Sequence, residues 1–322
     1  MPKLQENNKQ TETEILVGKR LLHSQPFPAF ELFFLPVLQS WPVNWRSQPA
    51  DADLRLQNNA AGYKLLTTSN YTDHTPLLDI FYMDSGDLPP SRYKRELLWK
   101  IIDTYKYVLE ALQLLQLNQI IHFDIKMDNM RYSKNETVQL IEFGAAILLP
   151  WTTAEAEAQY MRTNKTTINI AQPLEVQLIA RLGDGETAIL TADIANGLIA
   201  AILPAFAAAF AFFSPAWLKT YRADCEQALA SYIGQSSKDI RHKVLTPAIM
   251  YTWDHYALNI AYLRLLGDLF PDDQLVKFPF FINYIQLLAA TIQPDPHKRL
   301  DLATTQTHFR ALVYADASLT FP

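Results

Sequence analysis

HFDIKMDN at 122–129, followed by EFG at 142–144, constrains this chain more than any other stretch. Asp124, Lys126 and Asn129 set a carboxylate, an ammonium and an amide close together. The residues between the two motifs read as a hairpin that turns a second carboxylate back onto them. Met130–Tyr132 reads as a short strand, SKNE at 133–136 as the turn, and Thr137–Ile141 as the return strand ending at Glu142. Phosphoryl transfer from a nucleotide needs a carboxylate to receive a hydroxyl proton, a cation beside the moving phosphate, and oxygen ligands for Mg²⁺. The four residues supply those groups.

This pattern resembles the protein kinase superfamily, whose catalytic loop reads H-R-D-L-K-x-x-N and whose metal carboxylate opens D-F-G. The resemblance implies ATP and Mg²⁺ as cofactors. It makes Asp124 the catalytic base, Lys126 the partner of the transferred phosphate, and Asn129 a Mg²⁺ ligand; Glu142 takes the place of the metal-binding Asp. His122 and Gly144 are implied to be structural, His122 as a packed, hydrogen-bonded scaffold residue. Two departures stand out. Phe123 replaces the family's Arg, so the ion pair that reads a phosphorylated activation segment is missing, and Glu142 is one methylene longer than Asp. Lys126 points to Ser/Thr over Tyr substrates.

Three later segments extend the likeness in the family's order. PLE at 173–175 resembles A-P-E, WDHYALNIAYLRLL at 253–266 resembles the helix whose leading Asp anchors the catalytic loop, and PDPHKR at 294–299 resembles D-P-x-x-R. The family pattern implies that Asp254 bonds the catalytic-loop backbone and that Glu175 and Arg299 form a buried, structural salt bridge. The wording of these segments is similar to divergent Ser/Thr kinases of large nucleocytoplasmic DNA viruses, over roughly residues 77–312.

The implied fold class is α+β, a kinase-like two-lobe fold with a truncated small lobe at 1–85 and a mainly helical large lobe at 86–322. The long segment between Glu175 and Asp254 implies a helical insertion at about 177–250. TETEILVGKRLL at 11–22 predicts a helix, and the Pro- and aromatic-rich stretch 26–49 predicts strands with irregular connections. LLDIFYM at 77–83 is a β-like apolar run; in a kinase it is the hinge, where the backbone of Tyr82 and Met83 meets adenine. From Arg92 to about Gln116, apolar residues at three- and four-residue steps predict a long amphipathic helix.

Nine glycines serve the whole chain, and no G-x-G-x-x-G occurs in it. If 11–22 is the family's regulatory helix, Glu14 or Glu12 is the pairing carboxylate and Lys3 in MPKL is its phosphate-pairing partner, leaving no residues for a glycine-rich hairpin. Gly62 and Lys64 in NNAAGYKLL read either as a rearranged phosphate loop or as a turn followed by a strand. The leading expectation is a divergent Ser/Thr protein kinase that moves the ATP γ-phosphate to a protein hydroxyl. The alternatives are a catalytically impaired pseudokinase acting as a scaffold or virion component, and a small-molecule phosphotransferase.

A chain of 322 residues, about half apolar, can bury one large core or two smaller ones. Its formal charge of −5, without a long Lys/Arg run, gives no footprint for nucleic acid or an anionic membrane. The resemblance implies a protein substrate or a viral or host protein as partner. Cys225 is alone, which excludes an internal disulfide, and the polar start is unlike a signal peptide. A cytosolic, reducing environment is expected in place of secretion, and the resemblance implies the host cytoplasm, with packaging in a virion allowed. Scattered histidines suggest no zinc site. LIAAILPAFAAAFAFF at 198–213 is short for a membrane span and carries Pro204, so a buried helical hairpin or a docking surface is expected instead.

Overall fold

The computed structural model describes residues 2–6, 8–23, 32–43, 63–68, 74–82, 90–150, 168–183, 185–270, 272–275 and 277–315. The architecture is mixed α+β and mostly helical. Helix α1 spans Lys9–Leu22 and α2 spans Pro90–Leu117. The α2 stripe of Leu97, Leu98, Ile101, Ile102, Tyr105, Val108, Leu109, Leu112 and Leu115 is buried throughout. That is the face the periodicity calls for.

Further along, α3 covers Leu174–Leu182, α4 Ala192–Ala209, α5 Pro215–Ala230, α6 Ser237–Val244, α7 Pro247–Leu269, α8 Pro279–Thr291 and α9 Leu302–Ala315. Helix α7 buries residues on every side, the signature of an interior helix. It is locked to α2 by polar groups that find partners in the core: Tyr105 donates to Asn259 Oδ1 at 2.7 Å and Tyr262 to Thr104 Oγ1 at 2.9 Å. The Tyr105 ring meets Tyr262, Tyr284 and Phe309 edge-on at centroid distances of 4.9, 5.4 and 4.9 Å, tying α2, α7, α8 and α9 together. Such pairs contribute about 0.5–1.5 kcal/mol each beyond their buried area.

Strands β1 (Pro2–Glu6), β2 (Val37–Val43) and β3 (Tyr63–Thr68) form an antiparallel sheet in the order β1-β3-β2. Asn8 caps α1 by accepting from Thr11 N at 3.1 Å. The helix then lies so close to β2 that a Cβ on Gly18 would sit 1.9 Å from the Val37 carbonyl oxygen. Because the obstacle is backbone, Gly18→Ala should force α1 off the sheet at a cost of about 1–3 kcal/mol, read as a lowered midpoint in chemical denaturation.

Strand β4 (Thr75–Pro76) adds to the hairpin of β6 (Met130–Tyr132) and β7 (Val138–Leu140), and β5 (Ile120–Ile121) pairs with β8 (Ile147–Leu148). In the hairpin turn, Ser133 Oγ accepts from Asn135 N and Thr137 N, both at 3.2 Å. Residues 33–35 flank β7 on its other side through Leu35 N to Leu140 O and Leu140 N to Phe33 O.

The apolar run at 77–83 corrects the expected strand. Leu77–Phe81 is a 3₁₀ helix, with Leu77, Ile80 and Phe81 buried and Asp79 exposed. Burial at steps of three and four is helical, and the two-residue β4 before it ends at Pro76. Among the described residues, pairing in the three-stranded sheet ends at Thr68 and pairing with β6 begins at Thr75. Tyr82 follows the 3₁₀ helix and is 53% exposed; Met83 lies outside the described residues. Lys64 sits within β3, opposite Gln5 and Pro42, while Gly62 is outside the described residues.

Between Glu175 and Asp254 the chain is helical, as expected. Side chains of Thr191, Ser214 and Ser236 cap α4, α5 and α6. Among the described residues, α4 alone is long and apolar enough to cross a membrane by length and composition. Leu198, Ile199, Ile202 and Phe206 on one face of it are buried, and Ala200, Ala201, Ala207 and Ala208 are exposed. The expectation of a buried hairpin holds for one face only.

Candidate active site

Buried Asp254 holds the 122–129 loop from below. Its Oδ2 accepts His122 N at 2.6 Å and its Oδ1 accepts Phe123 N at 2.7 Å. His122 is fully buried and has two further contacts: its ring Nε2 meets the Ile141 carbonyl at 2.9 Å, and its Nδ1 accepts from Asp124 N at 3.3 Å. A carbonyl on one nitrogen and an N–H on the other fix a neutral ring with the proton on Nε2. Burial keeps it neutral by lowering its pKa. His122 also packs on Phe143 at 4.7 Å, which in turn meets Phe34 edge-on.

With its backbone so fixed, the loop brings Asp124, Lys126 and Asn129 together. Lys126 Nζ and Asn129 Nδ2 both donate to Asp124 Oδ2 at 2.8 Å, and Asn129 Nδ2 also reaches the Asp124 carbonyl at 2.8 Å. Asp124 and Lys126 are each more than a third exposed, so their ion pair contributes at most about 1 kcal/mol. Lys126 can leave for another anion cheaply. Asn129 is buried and spends its amide nitrogen on Asp124, so its amide oxygen is the atom left for a cation.

Glu142 arrives by the hairpin. The Ile141 N–H donates to the Asn129 carbonyl at 3.0 Å while the Ile141 carbonyl takes the His122 contact. Glu142 is therefore one residue from both, and it acts electrostatically on His122 together with Asp124 and Lys126. It is exposed, and it adopts the left-handed region at φ 62°, ψ 61°. Phe123 does likewise at φ 62°. Left-handed backbone costs an ordinary residue about 1–2 kcal/mol, and strain of this kind clusters at functional sites.

Among the described residues no three His, Cys, Asp or Glu side chains gather as a metal site. A Mg²⁺ that rides on nucleotide phosphates asks the protein for only one or two oxygen ligands. The Asn129 amide oxygen and the Glu142 carboxylate suit that demand.

On the α1 side, Glu14 is buried and Glu12 is exposed, so only the first can serve an interior partner. Glu14 Oε1 lies 3.5 Å from where a Cβ on Gly144 would be, and Gln10 Cβ lies 3.2 Å from it; the absent side chain lets α1 rest on the 143–145 turn. Lys3 pairs through its backbone with Leu66 in β3, and its side chain is outside the described residues.

Glu175 and Arg299 are joined by two parallel hydrogen bonds of 2.7 Å, with side chains 2% and 1% exposed. Sequence reasoning missed Trp253. Its Nε1 donates to Glu175 Oε1 at 3.0 Å and its ring meets Phe123 at 5.5 Å, so it links the ion pair to the 122–129 loop. Phe123 in that loop was the available signal, since an apolar side chain there needs an apolar neighbour.

His255, next along α7, is 2% exposed, and its Nε2 has no partner. Burial pushes its pKa down to about 4. The folded protein thus holds it neutral while the unfolded chain protonates it below about 6.5. Its contribution to stability is present above pH 6.5 and is lost as pH falls toward 4, by about 3 kcal/mol over that window. Asp254, raised by burial to about 7, acts in the opposite sense: its contribution is full below its unfolded pKa and is lost as pH rises through 7. A His255→Phe variant isolates the first effect. It should lose less stability than wild type between pH 7 and pH 5 in urea titrations.

Compared with known proteins, the chain matches no family model and no curated relative.

Proposed function

We propose that this chain is a divergent protein kinase that transfers the ATP γ-phosphate to a Ser or Thr hydroxyl of a protein. The observation that carries the reading is the convergence of Asp124, Lys126 and Asn129 beside the Glu142 turn, on a loop whose backbone is held by buried Asp254.

In this reading Asp124 orients the attacking hydroxyl and accepts its proton, and Lys126 leaves Asp124 to donate to oxygens of the γ-phosphate. Asn129 and Glu142 would hold Mg²⁺, which supplies neutralisation of the phosphate charge. Asn129 also fixes the Asp124 carboxylate through its Nδ2, which keeps the base in one orientation. Glu14 and Lys3 remain the proposed pair that would steady the inner phosphates.

A two-lobe arrangement belongs to the same proposal: the three-stranded sheet with α1 as the small lobe, and the helical body, with its insertion at about 177–250, as the large one. The division is proposed at about residue 85, after β4 has paired with the hairpin of the catalytic loop. Tyr82 and Met83 remain the proposed place where the backbone would meet adenine.

A nucleotide-binding scaffold without transfer is the second reading, favoured by the lack of a G-x-G-x-x-G in the sequence. Preorganised phosphate contacts supply much of the stabilisation in this chemistry. The deciding experiment offers labelled ATP with Mg²⁺ or Mn²⁺ and a mixture of protein substrates. Label on Ser or Thr supports the kinase; nucleotide binding with no transfer leaves the scaffold.

A further inference from the structure

A second concave site lies where the 177–250 segment meets the 294–298 turn. A cavity of about 550 Å³ opens between α5, α6, the start of α3 and the turn at 294–298. That volume is in the range of pockets that hold small ligands. Its lining includes Lys243 from α6 and Lys298 from the turn. In a chain of net charge −5, the two ammonium groups have neutral partners among the described residues: Lys243 Nζ donates to Gln235 Oε1 at 2.7 Å and Lys298 Nζ to Gln227 Oε1 at 3.0 Å. Each ammonium carries three donors, so each has donors to spare.

Two carboxylates, those of Glu175 and Asp295, also line the cavity. Glu175 is neutralised by Arg299. Asp295 accepts His297 N at 3.0 Å as the cap of its own turn, which leaves one carboxylate against two lysines. Tyr232 also lines the cavity. Burial, with Glu175 and Asp295 close by, keeps its phenol protonated and able to donate. Several donors and a surplus of positive charge suit a group that only accepts and carries more than one negative charge. Lysine is a common binder of that group as a point charge.

We propose that this cavity binds a phosphate monoester. The volume far exceeds a bare phosphate, so the group is attached to a small molecule or to a phosphorylated side chain, with Ala228, Leu229 and Pro294 lining space for the apolar part. The assignment does not rest on the phosphotransfer reading.

The test is calorimetric titration of the full chain with inorganic phosphate, phosphoserine, glycerol 3-phosphate and, as a carboxylate control, succinate. Saturable binding of the phosphates is expected, weakened about tenfold by Lys243→Gln or Lys298→Gln and about a hundredfold by both. Tighter binding of phosphoserine would assign the site to a phosphorylated side chain, and tighter binding of glycerol 3-phosphate to a small molecule. No saturable binding, equal affinity in the double variant with its circular dichroism intact, or succinate bound as tightly as phosphate would overturn the proposal.

Discussion

Arg299→Ala should destabilise the protein by about 3–5 kcal/mol, the cost of leaving a buried charge without its partner. Glu175 would keep only the Trp253 Nε1 hydrogen bond, inside a site where both ion-pair side chains are almost wholly shielded from water. Arg299 also donates to the Gln293 carbonyl at 2.8 Å and to Thr252 Oγ1 at 2.9 Å, and its guanidinium lies 5.1 Å from the Tyr256 ring centroid. Those interactions hold the 293–299 turn against α7, and they go with the side chain. Against a typical total of about 5–15 kcal/mol, the loss should move the urea midpoint strongly and can leave the variant partly unfolded at 37 °C. Glu175→Leu combined with Arg299→Met is the informative comparison. Replacing both charges by apolar groups of similar size avoids the orphaned ion, so the double variant should be more stable than either single one. A double variant no better than Arg299→Ala would show that the ion pair itself, and not the orphaned charge, carries the stability.

The parts of this fold that were legible in the sequence are those where spacing alone fixes geometry. The α2 stripe repeats at three and four residues for several turns, and only a helix buries such a pattern on one side. Residues 130–141 carry a turn with local side-chain bonding partners between two short apolar runs, so the hairpin and the arrival of Glu142 followed from contiguous residues. Lys126 and Asn129 reach Asp124 from within the same loop. Their meeting needed no knowledge of distant elements.

What was not legible depended on which neighbours arrive from elsewhere. The run at 77–83 is apolar enough for a strand or a helical turn, and the choice is made by Pro76 and by burial at Leu77, Ile80 and Phe81. The alanines of α4 have so little side chain that either face can meet solvent, and their identity did not reveal which does. Trp253 joins Phe123 to Glu175 across three separate segments. The lysine-lined cavity likewise draws on α6 and the 294–298 turn, far apart in the chain.

Asp124→Asn is expected to lower γ-phosphate transfer by about 10²–10⁴-fold if the chain is the proposed kinase, the usual contribution of a positioned general base. The substitution is close to isosteric, and an Asn side-chain oxygen at 124 can still accept from Asn129 Nδ2, so the loop should keep its shape. The lost ion pair with Lys126 is exposed and worth at most about 1 kcal/mol, so the thermal midpoint should hardly move. A large rate loss on an unchanged fold is therefore the signature of a chemical role. Glu142→Gln provides the complementary measurement. It retains length and hydrogen-bonding capacity while removing the charge, so its defect should shrink as Mg²⁺ is raised, whereas the Asp124→Asn defect should not. Equal transfer by wild type and Asp124→Asn would remove Asp124 from the chemistry. A Glu142→Gln defect indifferent to Mg²⁺ would separate that carboxylate from the metal and leave its left-handed turn as a structural feature of the loop.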